Sequence, residues 1–240
     1  FKKNLSSCVQ ISNYETFEKR KALSLKKGKY RGIGISTYIE ACGGGGPEYC
    51  SMKIGGNGQI DVKIGTQSNG QGHITSYAQI VSEVLEIDLE QVNIIQGNSI
   101  EIEKGSGTGG SRSMPVGGNV LYLASKKFFK NSKEALAKHF DVDSNQITYK
   151  EGLFKFNNRT ISFSDLTQLF DADKLLNVNS EWAPNTGTFT FPNGTHICEL
   201  EIDKQTGIVK IMDYTVVDDF GKVINPELLE GQVHGGVVQG

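Results

Sequence analysis

The stretch Gly105-Ser-Gly-Thr-Gly-Gly-Ser-Arg-Ser113, together with Gly70-Gln-Gly-His73, decides how the rest of the sequence is interpreted. We expect each to be a glycine-dense loop that runs into a helix, the first near Ser111 and the second near His73. The first turn of a helix has free backbone N–H groups and the positive end of the helix dipole, so it favours anions. Arg112 adds a planar fork of donors suited to phosphate. The loops therefore predict a site for the phosphates of a large nucleotide-like cofactor.

Two common phosphate-binding motifs do not fit the longer loop. Gly105 and Gly110 have the glycine spacing of a P-loop, but Ser111-Arg112 replaces the Lys-Ser/Thr of that motif. A Rossmann fingerprint needs an acidic residue about 20 positions further on, and there is no Asp or Glu between Lys104 and Lys133. A loop whose glycines serve only packing or hinge motion remains the alternative, and the shorter stretch alone could be a simple turn before a helix.

The composition describes a globular chain with a near-balanced charge. The 240 residues are 37% apolar and 22% charged, with a formal net charge of -2. No run of basic residues favours nucleic acid, and no run approaches the ~20 apolar residues of a membrane span. No apolar segment follows Phe1-Lys-Lys-Asn4, so a signal peptide is not expected. Because the chain lacks an initiating Met and stops inside a predicted helix, we expect a piece of a longer protein.

The reactive side chains form no local motif for metal or nucleophilic chemistry. The 4 cysteines contain no C-x-x-C pair and favour buried thiols in the cytoplasm. The 4 histidines are far apart and predict no metal site, although His73 beside two glycines is a candidate for a binding role. Ser111 and Ser113 lack a nucleophile-elbow context. Asp218 and Asp219 could be an acid/base pair, a hydrogen-bonding clamp or a solvated strand end.

Hydrophobic periodicity predicts an α+β fold with mixed sheets and flanking helices. Alternating segments at 49–54 and 59–64 indicate a hairpin, and 196–203 with 209–217 indicate another. Helical spacing predicts helices over 11–27, 74–85, 111–129 and 133–139, and from Asn225-Pro226 onward. The glycine-rich first half and the different second half suggest two lobes, 28–140 and 141–240, of one cofactor-binding domain fragment.

Read in order, several motifs resemble one protein family, and the match extends from about residue 14 to 240. They are the two loops, Glu199-x-Glu201-x-Asp203-x-x-Thr-Gly207, Val217-Asp-Asp-x-Gly221-x-x-Ile-Asn-Pro226 and Glu230-Gly-Gln-Val-His-Gly-Gly-x-x-Gln-Gly240. Together they resemble the molybdenum-binding large subunit of the xanthine dehydrogenase/aldehyde oxidase/carbon monoxide dehydrogenase superfamily. Tyr30-Arg-Gly-Ile-Gly34 and Tyr38-Ile-Glu-Ala-Cys-Gly-Gly44 fit its bacterial carbon-monoxide-dehydrogenase-like branch.

The resemblance implies a cofactor, molybdopterin cytosine dinucleotide with molybdenum, whose pterin dithiolene holds the metal in place of protein ligands. Gln71, Gly72 and His73 are then expected to contact the pyrophosphate or pterin. The residues expected at the dinucleotide are Thr108, Gly109, Ser111, Arg112 and Ser113. We expect the far side of the cofactor site to be lined by Asp218 or Asp219 and by Gln232.

The resemblance also implies that residues 1–240 lack two segments of the family, one with the catalytic glutamate and one a glycine-rich loop. The family's catalytic glutamate lies in a Gly-Val-Gly-Glu segment downstream of Gly240, and its upstream Gly-Gly-Gly-Phe-Gly loop is not in the sequence. We therefore name no catalytic residue and expect these residues alone to be inactive. The intact enzyme would transfer a water-derived oxygen to a small-molecule substrate and pass electrons to partner subunits that carry FAD and 2Fe–2S clusters. A non-catalytic interaction or assembly module with structural glycine loops is the rival hypothesis.

Overall fold

The computed structural model describes residues 1–55, 57–171, 177–185 and 187–240, and its helices and strands confirm the α+β prediction. The helices are α1 (Lys2–Ile11), α2 (Phe17–Lys26), α3 (His73–Leu85), α4 (Gly118–His139), α5 (Leu166–Leu169) and α6 (Pro226–Gln239). The strands are β1 (Lys29–Ile39), β2 (Glu48–Ile54), β3 (Ile60–Ile64), β4 (Val92–Ile95), β5 (Thr148–Lys150), β6 (Leu153–Phe156), β7 (Arg159–Ser162), β8 (Val178–Trp182), β9 (Asn193–Asp203) and β10 (Val209–Asp219).

The chain forms two compact units that do not follow the sequential lobes 28–140 and 141–240. The first unit combines residues 1–41 with 190–222, and the second combines 42–189 with 223–240. The first unit is discontinuous because β1 pairs with β9 along its whole length, from Lys29 opposite Asp203 to Ile39 opposite Asn193. Residues 42–189 are thus inserted between two strands of one sheet.

The first unit is an antiparallel sheet of order β1-β9-β10 with α1 packed on β9 and β10 and α2 packed on β1. Its interior is partly charged: the Glu199 side chain is 4% exposed and accepts hydrogen bonds from Arg20 and Arg31. Burial raises the pKa of Glu199, but the hydrogen bonds and charges of the two arginines lower it by more, so the net shift is downward. The pair with Arg20 attaches α2 to the sheet, and the pair with Arg31 links β1 to β9 within it.

The second unit is built on a four-stranded sheet of order β4-β3-β2-β8, against which α4 packs. Side chains of β2 and β3 alternate between buried and half-buried, the period expected of a sheet with one face on a core. The core includes Met52, Val62, Leu85, Leu121 and Phe128, all fully buried. β4 is parallel to β3, with α3 between them in sequence, so the unit contains one βαβ connection.

Two helix predictions differ from the structure. Of the predicted helix 11–27, the structure has α2 and a 3-10 turn over Tyr14–Thr16 before it. Asn13, whose φ of 51° is left-handed, separates these residues from α1, a helix that the sequence did not predict. The predicted helices 111–129 and 133–139 are one helix, α4, preceded by a π-helical turn over Ser113–Gly117. Val120, Ala124, Phe128, Ser132 and Leu136 are all buried, and this unbroken i, i+4 series keeps the helix intact past residue 131. Within the described part of the chain, no helix is long and apolar enough to cross a bilayer.

Candidate anion-binding site

The two glycine-rich loops leave neighbouring strands at the same edge of the second unit's sheet. One follows β3 and leads to α3, and the other follows β4 and leads to the π-helical turn before α4. Because β3 and β4 are parallel, both loops begin at the carboxyl ends of their strands, where open sheets with βαβ connections bind ligands. Parallel pairing therefore explains why loops far apart in sequence lie side by side.

Thr108 joins the two loops directly. Its hydroxyl accepts a hydrogen bond from the Gln67 backbone N–H at 3.0 Å and donates to the Gln67 carbonyl at 2.7 Å. The Ser113 hydroxyl donates to the same Thr108 oxygen at 3.1 Å. The Thr108 hydroxyl thus holds the two loops together, and Ser113 supports it from within its own loop.

Gly65 and Gly105 bring the loop backbones into direct contact. A Cβ built on Gly65 would lie 2.2 Å from the Gly105 Cα, and one built on Gly105 would lie 2.4 Å from the Gly65 Cα. Neither position has room for a side chain. These glycines are required by packing within the protein.

Gly109, Gly110 and Ser111 form an exposed rim beyond this contact. Gly110 and Ser111 have positive φ angles of 55° and 51°. Within the described residues, the N–H groups of Gly109 and Gly110 have no hydrogen-bond acceptor. A Cβ added to either glycine would meet no atom within 4 Å. The rim therefore offers backbone donors to an anion.

Tyr77, which the sequence did not identify as a residue of the site, connects the residues beneath the loops. Its side chain is fully buried, and its hydroxyl donates to the Ser113 carbonyl at 2.7 Å and contacts the Thr66 hydroxyl at 2.9 Å. A Cβ on Gly117 would lie 2.5 Å from this hydroxyl, so the glycine makes room for it. Burial raises the pKa of Tyr77, which keeps the hydroxyl protonated and able to donate.

Tyr77→Phe should destabilise the protein by about 1–3 kcal/mol, because it leaves a buried carbonyl and a buried hydroxyl without their partner. Denaturant unfolding would measure this loss. Tyr122→Phe is the matched control, since Tyr122 is 41% exposed, and it should change the unfolding free energy by less than about 0.5 kcal/mol. Equal effects of the two substitutions would contradict a role for the Tyr77 hydroxyl.

His73 begins α3, as the sequence predicted, and is 6% exposed. Its ring stacks on Tyr77, with centroids 5.3 Å apart and an interplanar angle of 13°. Burial lowers the pKa of His73, and a hydrogen bond to the Gln67 backbone opposes this only in part. His73 is thus a neutral ring near pH 7, and its buried Nδ1 has no partner within the described part of the chain. Its predicted contact with a cofactor remains a prediction.

The Gly70–His73 turn lies against α6. Gly72 has a φ of 73°, and a Cβ there would lie 2.6 Å from Leu228 Cδ2. Asn225 caps α6 through a hydrogen bond from the Leu228 N–H, as the Asn-Pro start predicted, and also donates to Gln79 on α3. Gln232 is one helical turn beyond Leu228 and thus on the same face of α6. Within the turn, Gln71 accepts a hydrogen bond from the Asn69 N–H.

Arg112 lies inward and does not extend into solvent. It is 3% exposed, and its terminal nitrogens donate to Glu48 and to three backbone carbonyls. Glu48, the other fully buried charge of this ion pair, follows the glycine run Gly43–Gly46 and gave no signal in the sequence. The structure therefore leaves Arg112 no free terminal nitrogen for the phosphate contact that the sequence suggested.

Asp218 and Asp219 belong to the first unit, at the end of β10. The Asp218 carboxylate accepts a hydrogen bond from the Tyr38 hydroxyl at 3.0 Å and lies 3.5 Å from His196 Nε2. Gly194 is required there, since its Cβ would be 1.7 Å from Asp218 Oδ1. Asp219 accepts from the Gly221 N–H. Both carboxylates thus have contacts within their own unit, and their role at a cofactor stays a prediction.

The fold and the paired loops define a domain that presents backbone amides and hydroxyls at one edge of its sheet. Among the described residues, no group of three or more His, Cys, Asp and Glu could hold a metal ion. The molybdopterin cofactor-binding domain family matches residues 7–240, and the chain belongs to this family.

Relatives with different names share this domain. The carbon monoxide dehydrogenase large chain of Hydrogenophaga pseudoflava is 30% identical over 227 residues, which cover 87% of this chain and 28% of the relative. The nicotine 6-hydroxylase large subunit of Paenarthrobacter nicotinovorans is 28% identical, over 98% of this chain and 32% of the relative. The crystal structure of quinoline 2-oxidoreductase from Pseudomonas putida 86 superposes with a TM-score of 0.82 at 26% identity, covering 98% of this chain and 33% of that one. The chain thus spans about a third of the relatives' length.

Proposed function

We propose that the loops around Gly65–His73 and Gly105–Ser113 bind the phosphates of molybdopterin cytosine dinucleotide, and that the whole protein is a molybdenum hydroxylase-type oxidoreductase. Membership of the molybdopterin cofactor-binding domain family supports the class of cofactor. The similarity to the carbon monoxide dehydrogenase large chains supports the dinucleotide form. When bound, the cofactor supplies a molybdenum redox centre, and this chain supplies the donors that hold it.

The observation that carries the proposal is Gly109. The other glycines of the two loops have an internal reason to be glycine: Gly65, Gly72 and Gly105 lack space for a Cβ, and several others have positive φ angles. Gly109 has neither property, since its φ is not positive and its Cβ would meet nothing within 4 Å. A glycine that the protein itself does not require, on an exposed rim beside free N–H groups, allows the close approach of a ligand.

The residues that we assign to the cofactor fit an anionic group. Gln71, Gly72 and His73 lie on the turn after β3, and Thr108, Gly109, Ser111 and Ser113 on the loop after β4. Backbone N–H groups and hydroxyls are suitable partners for pyrophosphate oxygens. Among the described residues, buried polar atoms of His73 and Gln96 have no partner and lie on or next to these loops, which agrees with a region built around a further group. The Arg112 Nε atom also has no partner but lies on the covered side, against Gly45. For the far side of the cofactor site, we propose Gln232, Asp218 and Asp219.

The activity of the whole protein extends this proposal. We place the family's catalytic glutamate outside residues 1–240 and expect no hydroxylation from these residues alone. FAD and 2Fe–2S clusters on partner subunits are the proposed electron acceptors, and the cytoplasm is the proposed location. The relatives are named for carbon monoxide and nicotine, and one matching structure for quinoline, so we propose a small molecule as substrate without choosing among these.

Cofactor analysis of the intact protein tests the proposal. We expect about one molybdenum atom per chain by elemental analysis and an equal amount of cytidine monophosphate after acid hydrolysis. Molybdenum with no nucleotide would restrict the cofactor to the mononucleotide form. Neither molybdenum nor nucleotide would instead favour the rival hypothesis, a non-catalytic interaction or assembly module.

Gly109→Val tests the rim separately from the fold. A side chain there would project into open space and occupy the position of the ligand, so we expect at least a tenfold loss of bound molybdenum and nucleotide with a nearly unchanged melting temperature. Gly44→Val is the control, because Gly44 also has open space around its Cβ and no positive φ but lies outside the two loops. Wild-type cofactor content in Gly109→Val would contradict the assignment of the rim.

A further inference from the structure

The ion pair between Arg112 and Glu48 is almost completely closed to solvent. The Arg112 side chain is 4% exposed and that of Glu48 is 0% exposed, with Arg112 Nη1 2.7 Å from Glu48 Oε2. The other carboxylate oxygen, Oε1, accepts the Tyr49 backbone N–H at 2.9 Å. The carboxylate therefore balances the guanidinium charge and is itself fixed to the first residues of β2.

The remaining contacts of Arg112 reach two further chain segments. Nη1 donates to the Gly107 carbonyl at 2.7 Å, and Nη2 donates to the carbonyls of Gly46 and Pro47 at 2.8 and 3.2 Å. A Cβ on Gly45 would lie 3.2 Å from Nε, so the glycine run also covers the guanidinium. Arg112 thus connects β2, the residues before it and the interior of its own loop.

These contacts leave the guanidinium no terminal N–H with which to grip a phosphate. Nη1 and Nη2 carry four N–H bonds, and the structure provides four protein acceptors for them. A phosphate could receive a bidentate pair only if buried hydrogen bonds were broken. The Gly109 and Gly110 N–H groups of the same loop, by contrast, are on its exposed side.

We infer that Arg112 and Glu48 are a positioning pair, which fixes the buried side of the Gly105–Ser113 loop so that the Gly109 and Gly110 N–H groups face an anion. The inference rests on the proposed function for what the loop binds, but not for how the loop is held. The positioning role and direct phosphate binding by Arg112 predict opposite changes in cofactor binding when Glu48 is neutralised. Neutralising Glu48 loosens the loop and weakens binding if the pair positions it, whereas it would free the guanidinium and strengthen binding if Arg112 were the ligand.

The test compares Glu48→Gln and Arg112→Lys in the intact protein. Glu101→Gln is the control, because Glu101 pairs with Lys63 at 3.1 Å in the same unit but is 41% exposed. We expect Glu48→Gln and Arg112→Lys each to lower bound molybdenum and nucleotide at least fivefold, and Glu101→Gln to leave both unchanged. An increase in bound nucleotide in Glu48→Gln would overturn the inference, as would unchanged cofactor content in both variants.

A hydrogen-exchange experiment tests the positioning role independently of the proposed function. In protein from a host that cannot make molybdopterin, we expect the backbone amides of Gln67 and Arg112, which donate to the Thr108 hydroxyl and the Gly109 carbonyl, to exchange at least tenfold faster in both variants, while peptides of α4 keep wild-type rates. Unchanged exchange of these two amides would overturn the inference even if the wild-type protein binds cofactor normally. If the wild-type protein binds no cofactor, the proposed function fails, and this exchange experiment still tests the positioning.

A double variant covers the possibility that the single variants unfold. Glu48→Met with Arg112→Met removes both charges with little loss of volume, and such replacements of buried ion pairs are often neutral for stability. We expect this variant to fold and still to show fast exchange of the Gln67 and Arg112 amides and reduced cofactor content. Wild-type exchange and cofactor content in the double variant would show that the pair does not position the loop.

Discussion

Gly105→Ala is expected to destabilise the second unit by about 3 kcal/mol or more, the upper range for an overpacked site. The added Cβ would lie 2.4 Å from the Gly65 Cα. Since the clash is with backbone and no side chain can rotate away, one of the two loops has to move. Denaturant unfolding, or hydrogen exchange of α3 and α4 if the protein aggregates, measures the loss.

Gly109→Ala is the matched control for this experiment. It adds the same methyl group to the same loop, at a position with an open environment and no positive φ. We expect its unfolding free energy to stay within about 0.5 kcal/mol of wild type. If both substitutions cost the same, the contact between Gly65 and Gly105 does not determine the stability of the loops.

The second large effect is expected in the first unit, at Glu199. Glu199→Gln keeps the shape of the side chain but leaves Arg20 and Arg31 facing a neutral group. Removal of one partner of a buried ion pair costs about 3–5 kcal/mol. Because the Arg20 side chain is 24% exposed, water compensates in part, and we expect about 2–3 kcal/mol. Glu18→Gln, which breaks the exposed pair with Lys21, should cost less than about 0.5 kcal/mol.

The same carboxylate makes the first unit sensitive to acid. Its folded-state pKa is below the usual value, since the hydrogen bonds and charges of Arg20 and Arg31 outweigh the opposite effect of burial. The stabilisation is therefore complete above the unfolded-state pKa of about 4.3 and is lost as the pH falls through the lower folded-state pKa. Hydrogen exchange of β9 as a function of pH would show this loss, and Glu199→Gln should remove that part of the pH dependence.

The sequence predicted the elements whose patterns are local. The alternation at 49–54 and 59–64 gave β2 and β3, the Asp203–Gly207 turn gave the β9–β10 hairpin, and Gly72 and Asn225 marked helix starts. The strand at 59–64, the helix after Gly72 and the strand at 92–96 also form a βαβ series. That series predicts parallel pairing, and with it the adjacency of the two glycine-rich loops.

What the sequence did not reveal depends on residues that are distant along the chain. Nothing near Glu48 indicates an arginine 64 positions later as its partner, and Arg112 beside glycines has the pattern of an anion ligand whether it faces solvent or the interior. The division into units depends on the pairing of β1 with β9, which is equally non-local. Local composition thus located the loops but not the side of each loop that is buried.

The pairing of β1 with β9 has a consequence for biosynthesis. When β1 leaves the ribosome, its partner has not yet been translated, and residues 42–189 must follow first. At ordinary translation rates the delay is on the order of ten seconds, during which β1 has a free edge that can pair with other chains. Residues 42–189 can begin to fold within that interval, and α6 completes the second unit after β9 has been made. The nascent first unit meanwhile waits for β9, which makes a chaperone useful at this stage of synthesis.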